Sequence, residues 1–435
     1  METRPQKNLP SENLSTEKLF HGSSFSKSVF SENLFSAPDA GARRLLDGLP
    51  ALIDKTIPLP RQFRAGLKRD VAELSRLLTS GRGDRRDSYL GEPAMLSAYI
   101  RYFLPWNVYR LVRLLPNLPI TLADGDAITD LGSGPLTLPI ALWIARPDLR
   151  RVKLEFRCLD RTGPILEAGK KIFAAICGPS VPGTDAQAAH PWTIKTIRGE
   201  LHERGHGKHR PGTLPMRGKP TALVTAVNVF NEVMSAVPPG GDLTPAAERE
   251  AALLSALAAP AASIFVVEPG VPRSGEFIAA LRGALTALGR LVCVPCPAAH
   301  GDCSFPGGRS GSSGAKEKWC HFAFDTADAP RQLQALSAAA GIPKERAVLS
   351  FLFTGGIPAL DTADSITVRI ISDAFPLPGE GRFGRYGCSQ RGAALVTGSA
   401  AQLESAGSGA LLRLTAPAIE RRDRKSGALI LELRG

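Results

Sequence analysis

The stretch Ala127-Ile128-Thr129-Asp130-Leu131-Gly132-Ser133-Gly134-Pro135 decides the fold. Its first five residues are a short run suited to a buried strand, and a helical stretch follows, with Thr137 placed to cap it and Pro139 in its first turn. Between them, Gly132 and Gly134 let the backbone turn sharply and come close to a ligand, since neither carries a Cβ. The helix would then offer free N–H groups and the positive end of its dipole. An ordinary strand-to-helix turn would use the same glycines, so the flanking sequence has to separate the two readings.

Outward from this loop, short apolar runs alternate with helical stretches: LEFRCLDR at 154–161, TALVTAVNVF at 221–230 and SIFVVEPG at 263–270. Strands alternating with helices predict right-handed crossovers and a mostly parallel sheet covered on both faces. Upstream, Leu67, Val71, Leu74 and Leu78, then Met95, Tyr99, Tyr102 and Phe103, recur at helical spacing, with breaks expected at the Ser80–Asp87 loop and at Pro105. Basic residues of this region, Arg61, Arg64, Lys68, Arg69 and Arg76 among them, read first as a solvated face. Residues 291–320 lose all periodicity and become rich in Cys, Pro and Gly, and a segment of that kind needs an external tie such as a metal. The expected organisation is a mobile tail at 1–40, a helical region at 41–118, an α/β domain at 119–372 with a cysteine-rich insertion at 291–320, and a small β unit at 373–435.

Asp160, at the end of the second strand, stands where a carboxylate accepts hydrogen bonds from a ribose diol. It follows Gly134 by 26 residues, longer than the roughly 20 of dinucleotide sites, and the basic segment Arg146–Lys153 takes up the excess. Asp130 replaces a third glycine for pyrophosphate, and a carboxylate there suits the cationic methionine part of S-adenosylmethionine. Asn228-Val229-Phe230-Asn231-Glu232 falls at the carboxyl edge of the sheet, where open α/β folds bind ligands, or else is an Asn-capped helix start. The expected cofactor set is Asp130, Gly132, Ser133, Gly134, Asp160 and Asn228, and Asn231 and Glu232 are the nearest catalytic candidates.

Composition bounds the rest. The 435 residues carry a net charge of +12, with 43% hydrophobic and 22% charged residues, which excludes wholesale disorder and a collagen-like fibre. The surplus charge raises a nucleic-acid partner. The N-terminal METRPQKNLPSENLST has no apolar core region, and Ala251–Val267 falls short of the roughly 20 apolar residues of a membrane span. Seven cysteines are too few for a disulfide scaffold, and a reducing cytoplasm is expected.

Cys158 and Cys177 lie in apolar surroundings and read as small buried hydrophobes. Cys293, Cys296, Cys303, Cys320 and Cys388 lie in or near irregular segments, and four thiolates hold either a structural zinc or an iron–sulfur cluster. Their spacing is too scattered to choose between the metals or between Cys293 and Cys296. His300 and His321 are substitute ligands. His202, His206 and His209 are interleaved with Arg204, Lys208 and Arg210, which favours a solvated basic loop over a metal site.

In order, GEPAMLSAYIRYFLPWNVYRLV, DLGSGP, VNVFNEV, VVEPGVPRSGEFIAALR, PCP, GDC, KWCHF and RYGCSQRG resemble the methyltransferase-like family of mitochondrial and bacterial small-ribosomal-subunit assembly factors. The likeness runs from about Gly91 to the C-terminus. It implies a class I methyltransferase domain, Rossmann-like with a mostly parallel seven-stranded sheet, that binds S-adenosylmethionine at DLGSGP and Asp160. It also implies a 4Fe-4S cluster on Cys296, Cys303, Cys320 and Cys388, with zinc as the alternative, and work on small-subunit rRNA. A monomer without a membrane partner is expected. The spacer PGGRSGSSGAKEK and Pro135 depart from the family pattern. Two activities follow: methyl transfer to an rRNA base, or RNA binding in subunit assembly without turnover. VNVFNEV contains neither a cysteine nucleophile for a pyrimidine carbon nor the Asn/Asp-Pro-Pro-aromatic motif of amine methylation.

Overall fold

A computed structural model describes residues 30–79, 91–178, 190–201, 221–297, 303–305, 318–355 and 364–433. The chain enters with strand β1 (Phe30–Asn33) and builds a helical layer from α1 (Ala40–Thr56), α2 (Arg61–Arg64), α3 (Leu67–Leu78), α4 (Pro93–Ala98) and α5 (Leu104–Leu114). The Asp39 side chain caps α1 by accepting from Ala42 N, and Leu45, Leu46, Leu49 and Ile53 form its buried stripe. Pro105 does not break the chain as expected. A π-helical turn, Tyr99–Phe103, joins α4 to α5, and Leu104 N–H donates to Tyr99 O five residues back. The wider turn accommodates Pro105 in the first turn of α5, where a missing N–H costs little.

The central sheet contains β2 (Ala127–Leu131), β3 (Glu155–Asp160), β4 (Thr193–Arg198), β5 (Thr221–Val227), β6 (Ala258–Pro269), β7 (Val292–Val294), β8 (Phe322–Asp325) and β9 (Arg346–Thr354). Its order is β4-β3-β2-β5-β6-β9-β7, with β8 also paired to β9. The first five strands are parallel, and β9 runs antiparallel to β6. Helices α6 (Thr137–Ala145), α7 (Gly163–Ile176), α8 (Asn231–Ala236), α9 (Thr244–Leu257) and α10 (Pro272–Ala287) make the crossovers, and α11 (Arg331–Ala339) precedes β9. This order, with its late antiparallel strand, is the class I methyltransferase architecture that the family resemblance implied. Every residue of α6 is buried, with α5, α1 and α7 packed against it.

The edge beyond β9 is occupied by two short strands in line. Val292 and Val294 face Thr354 and Phe353, whereas Phe322–Asp325 face Leu349–Arg346. One strand position is therefore split, and the cysteine-rich segment leaves the sheet through the gap.

A second sheet holds β1, β10 (Ser365–Ile370), β11 (Phe375–Pro376), β12 (Phe383–Ser389), β13 (Gly392–Gly398), β14 (Ala410–Thr415) and β15 (Leu429–Glu432), with the short helix α12 (Ala400–Glu404) beside them. Its order is β1-β14-β10-β12-β13-β15, with β11 on β12. Ile366, Val368, Ile370, Val396, Leu412 and Leu431 form its core. The sheet departs from the expected organisation at both ends. It recruits β10, expected in the α/β domain, and β1, expected in the tail. Strand alternation is the same for either sheet, so the local pattern of β10 does not choose between them.

The helical layer is locked to the central sheet by Asp328, which accepts from Arg43 (2.6 Å), Arg113 (3.0 Å) and the Tyr109 hydroxyl. Burial pushes the Asp328 carboxyl up, but the hydrogen bonds from Tyr109 and Arg43 outweigh it and hold the group below its ordinary value. A depressed carboxylate contributes stability above its unfolded pKa and loses it as pH falls through the folded one. Asp328→Asn is therefore expected to lower stability by about 1–3 kcal/mol at pH 7. In urea titrations the gap from the parent protein should narrow as pH falls through the acid range.

Candidate functional site

The glycine loop sits where the strand order reverses, with β3 on one side of β2 and β5 on the other. Its backbone is left-handed at Gly132 (φ +59°), Gly134 (φ +53°) and Leu136 (φ +58°). A Cβ on Gly132 would lie 2.6 Å from Val229 Cγ2, so only glycine lets the β5 loop close over this turn. Leu136, not Thr137, occupies the cap position of α6, and it makes no side-chain cap hydrogen bond. Helix α7 approaches from behind, where a Cβ on Gly169 would lie 2.4 Å from the Pro135 carbonyl carbon.

Two carboxylates shape the loop. Asp160 Oδ2 accepts from Gly134 N (3.0 Å) and Oδ1 from Thr162 N (2.8 Å). Burial raises its pKa, and those two backbone bonds pull it back. Asp130 is 1% exposed and accepts from the Ser133 hydroxyl and from Thr225 Oγ1 (2.7 Å). Burial pushes its carboxyl up to about 6, against the pull of Ser133 and Thr225 and with a further push from Asp160. Asp130, Gly132, Ser133, Gly134 and Asp160 thus lie together, with the carboxylates acting first as scaffolding.

The β5 loop forms the facing wall. Asn228 is also left-handed (φ +56°), and its N–H donates to Val267 O (2.7 Å). Glu268, fully buried at the end of β6, accepts from Val229 N (2.9 Å) and Phe230 N (2.8 Å), which fixes the turn that presses Val229 onto Gly132. The catalytic candidates lie just beyond. Glu232 is exposed and pairs with Arg161 (2.8 Å), and Asn231 keeps a buried Oδ1 without a hydrogen-bond partner among the described residues.

Sequence reading missed the groups that the helical layer contributes. Tyr99 Oη lies 4.0 Å from the point a Cβ on Gly134 would occupy. Arg110 donates from Nη1 to Val348 O (3.1 Å) and from Nη2 to Asn107 Oδ1 and Asn228 Oδ1 (3.4 Å). Burial draws its guanidinium down to about 10, with Tyr99 and Glu268 beside it pushing back, so it stays charged at neutral pH. The only local signal was Pro105 inside a helical pattern, which marks the π-turn that aims Tyr99.

Cys296, Cys303, Cys320 and Cys388 converge where the insertion meets the second sheet. Burial raises the Cys320 thiol well above its ordinary value, and the neighbouring Cys303, Cys296 and Cys388 add to that. Cys296 is pushed up to about 12 by burial, and the Arg282 guanidinium lowers it. Cys388, on β12, donates to Ser304 Oγ (3.5 Å), while Cys320 N–H donates to Phe305 O (3.3 Å) and Ser350 Oγ to Cys320 O (2.8 Å). Among the described residues, no three His, Cys, Asp or Glu side chains stand in an arrangement that holds a metal ion. Cys158 and Cys293 are buried and Cys177 is partly so. His321 stacks on Trp319 with ring centroids 4.8 Å apart. His202, His206, His209 and His300 lie outside the described residues.

Residues 240–372 match a family profile described as mitochondrial small ribosomal subunit Rsm22. The resemblance drawn from the sequence is to this family. The Rsm22 match takes in Glu268, the split strand, Cys296, Cys303 and Cys320, and it ends before Cys388; the glycine loop lies upstream of it. No curated protein sequence matches the chain. Among solved structures, the chain is similar to the plantazolicin methyltransferase BpumL in complex with SAH (11% identity, 72% of this chain and 98% of that one, TM-score 0.27). It is also similar to a precorrin-6y C5,15-methyltransferase from Geobacter metallireducens (10%, 58% and 87%, TM-score 0.28). A third is a ribosomal protein L11 methylase from Lactobacillus delbrueckii subsp. bulgaricus (12%, 42% and 70%, TM-score 0.26). At such scores it is the strand order of the sheet, not these likenesses, that carries the fold.

Gly132→Ala would force a side chain into a left-handed turn, at a cost of about 1–2 kcal/mol, and against Val229 as well. The expected outcome is a lower melting temperature in calorimetry, with a larger drop than Gly240→Ala, where φ is also positive but nothing lies within 4 Å of the added Cβ.

Proposed function

We propose that the chain binds S-adenosylmethionine between the glycine loop, Asp160 and Asn228, and works as a methyltransferase-like protein on small-subunit rRNA or on assembly of the small subunit. The observation that carries this reading is the left-handed loop at the strand-order reversal, held open by Asp160 and closed over by Val229, in a chain whose 240–372 segment matches Rsm22. Each Asp160 oxygen holds one backbone N–H and keeps a lone pair for a ribose hydroxyl. Asp130 adds negative charge behind the loop. When bound, the cofactor supplies an electrophilic methyl group, and the chain's contribution is to position it and exclude water.

Asn231 and Glu232 are the nearest groups for a catalytic role. A second reading, subunit assembly without turnover, is favoured by the ties on the candidate side chains: Glu232 is held by Arg161 and Asn228 by Arg110. Exposed Arg61, Arg64, Lys68, Arg69 and Arg76 on the helical layer suit an rRNA backbone in either case. We place the chain as a monomer in a reducing compartment, the cytoplasm or the mitochondrial setting that the Rsm22 name carries. Among the described residues no helix is long and apolar enough to cross a membrane.

Cys296, Cys303, Cys320 and Cys388 would hold a 4Fe-4S cluster, with zinc as the alternative. An all-sulfur donor set suits either, and the Arg282 guanidinium beside Cys296 would offset thiolate charge. Bound there, a metal would cross-link the insertion to the second sheet.

Incubating the protein with methyl-labelled S-adenosylmethionine and small-subunit rRNA tests the enzyme. Incorporation is expected if it turns over, and cofactor binding without incorporation leaves the assembly reading. Anaerobic purification should yield iron and acid-labile sulfide in equal amounts, and Cys388→Ser should lose both. Zinc without sulfide would replace the cluster by the alternative.

A further inference from the structure

The cofactor reading leaves the Arg110 guanidinium without a role. It comes from α5, a helix outside the sheet, yet it reaches the Asn228 side chain at the carboxyl edge of β5. Its named acceptors, Val348 O, Asn107 Oδ1 and Asn228 Oδ1, are all neutral carbonyl oxygens, and the contact to Asn228 is long at 3.4 Å. Tyr99 and Glu268 are the neighbours whose charge acts on it, and Glu268 Oε1 already accepts from two backbone N–H groups. Lys344 is close enough to act on Arg110, with its ammonium over the Tyr102 and Trp106 rings. Arg110 thus brings a guanidinium to the Asn228 side of the glycine loop, across from the Asp160 carboxylate.

The order β3-β2-β5 puts these two ends in line. Asp160 ends β3, the glycine loop ends β2 and Asn228 follows β5, so the anionic and cationic ends lie two strand spacings apart, about 9.5 Å. A ligand lying across the loop with a diol at one end and a carboxylate at the other matches this polarity. Resting on the cofactor reading above, we infer that Arg110 recognises the carboxylate of the amino-acid part of S-adenosylmethionine, with Tyr99 beside it over Gly134. A carboxylate in place of the long Asn228 contact would give Arg110 a charge-assisted bond, roughly twice as strong as a neutral one. Asn107 and Val348 O hold the guanidinium plane ready for it.

The test compares two ligands that differ only in this carboxylate. Calorimetry on the full chain would measure S-adenosylmethionine and decarboxylated S-adenosylmethionine against the parent, Arg110→Gln and Arg110→Lys. The parent should prefer the intact cofactor about tenfold or more. Arg110→Gln should lose that preference while binding the decarboxylated ligand as the parent does, and Arg110→Lys should keep part of it. Should Arg110→Gln fail to fold, the lysine variant and the parent's own ligand preference carry the test. Equal loss for both ligands, or none for either, would overturn the assignment while leaving the cofactor site standing. A parent that binds neither ligand would overturn the cofactor reading and this inference with it.

Discussion

The hydrogen bond from Gly134 N–H to Asp160 is the constraint on which the site depends. A loop with left-handed residues at 132, 134 and 136 has few ways to satisfy its own backbone, and leaving buried N–H groups without acceptors is costly. Asp160 takes one such group, and Ser133 N–H finds Leu159 O on the same strand. From the other side Glu268 takes the N–H groups of Val229 and Phe230, which brings Val229 down onto Gly132. Two carboxylates, at the ends of β3 and β6 on either side of the β2–β5 pair, thus hold two loops face to face, and the cleft between them is a consequence of the strand order.

The two outer layers both serve this arrangement. The helical layer, pinned by Asp328, carries Tyr99 and Arg110 over the cleft. The second sheet brings Cys388 against the insertion that leaves the split strand, and Arg369 opposite it donates to Pro295 O (3.2 Å) and Gly409 O (2.7 Å), tying insertion and sheet together. Trp319, one residue before Cys320, donates to Gly270 O (3.1 Å), two residues past Glu268. The cysteine group and the candidate cofactor cleft therefore share the loop after β6.

Much of this was legible in the sequence because it is written locally. Alternating strands and helices between 127 and 287, the glycine pair and the carboxylate at the next strand end all follow from periodicity and turn chemistry. The four cysteines took a family resemblance to choose, since three come from an aperiodic insertion and one from another sheet, and no short spacing records that convergence. Tyr99, Arg110 and Glu268 were illegible as site residues for a related reason. Each acquires its partner across a long stretch of chain, and a helical Arg looks like any solvated cation until its neighbours are known. The same holds for β1, a four-residue edge strand whose place is set by β14 alone.

Amide hydrogen exchange of the full chain with and without S-adenosylhomocysteine tests the central claim most directly, because it reads the two loops themselves. The account predicts added protection confined to residues 130–136, 160–162 and 228–230 and to the Tyr99–Arg110 stretch above them, where the ligand would bridge loops that Asp160 and Glu268 already hold. Unchanged exchange in those segments at saturating ligand, or protection elsewhere, would contradict it.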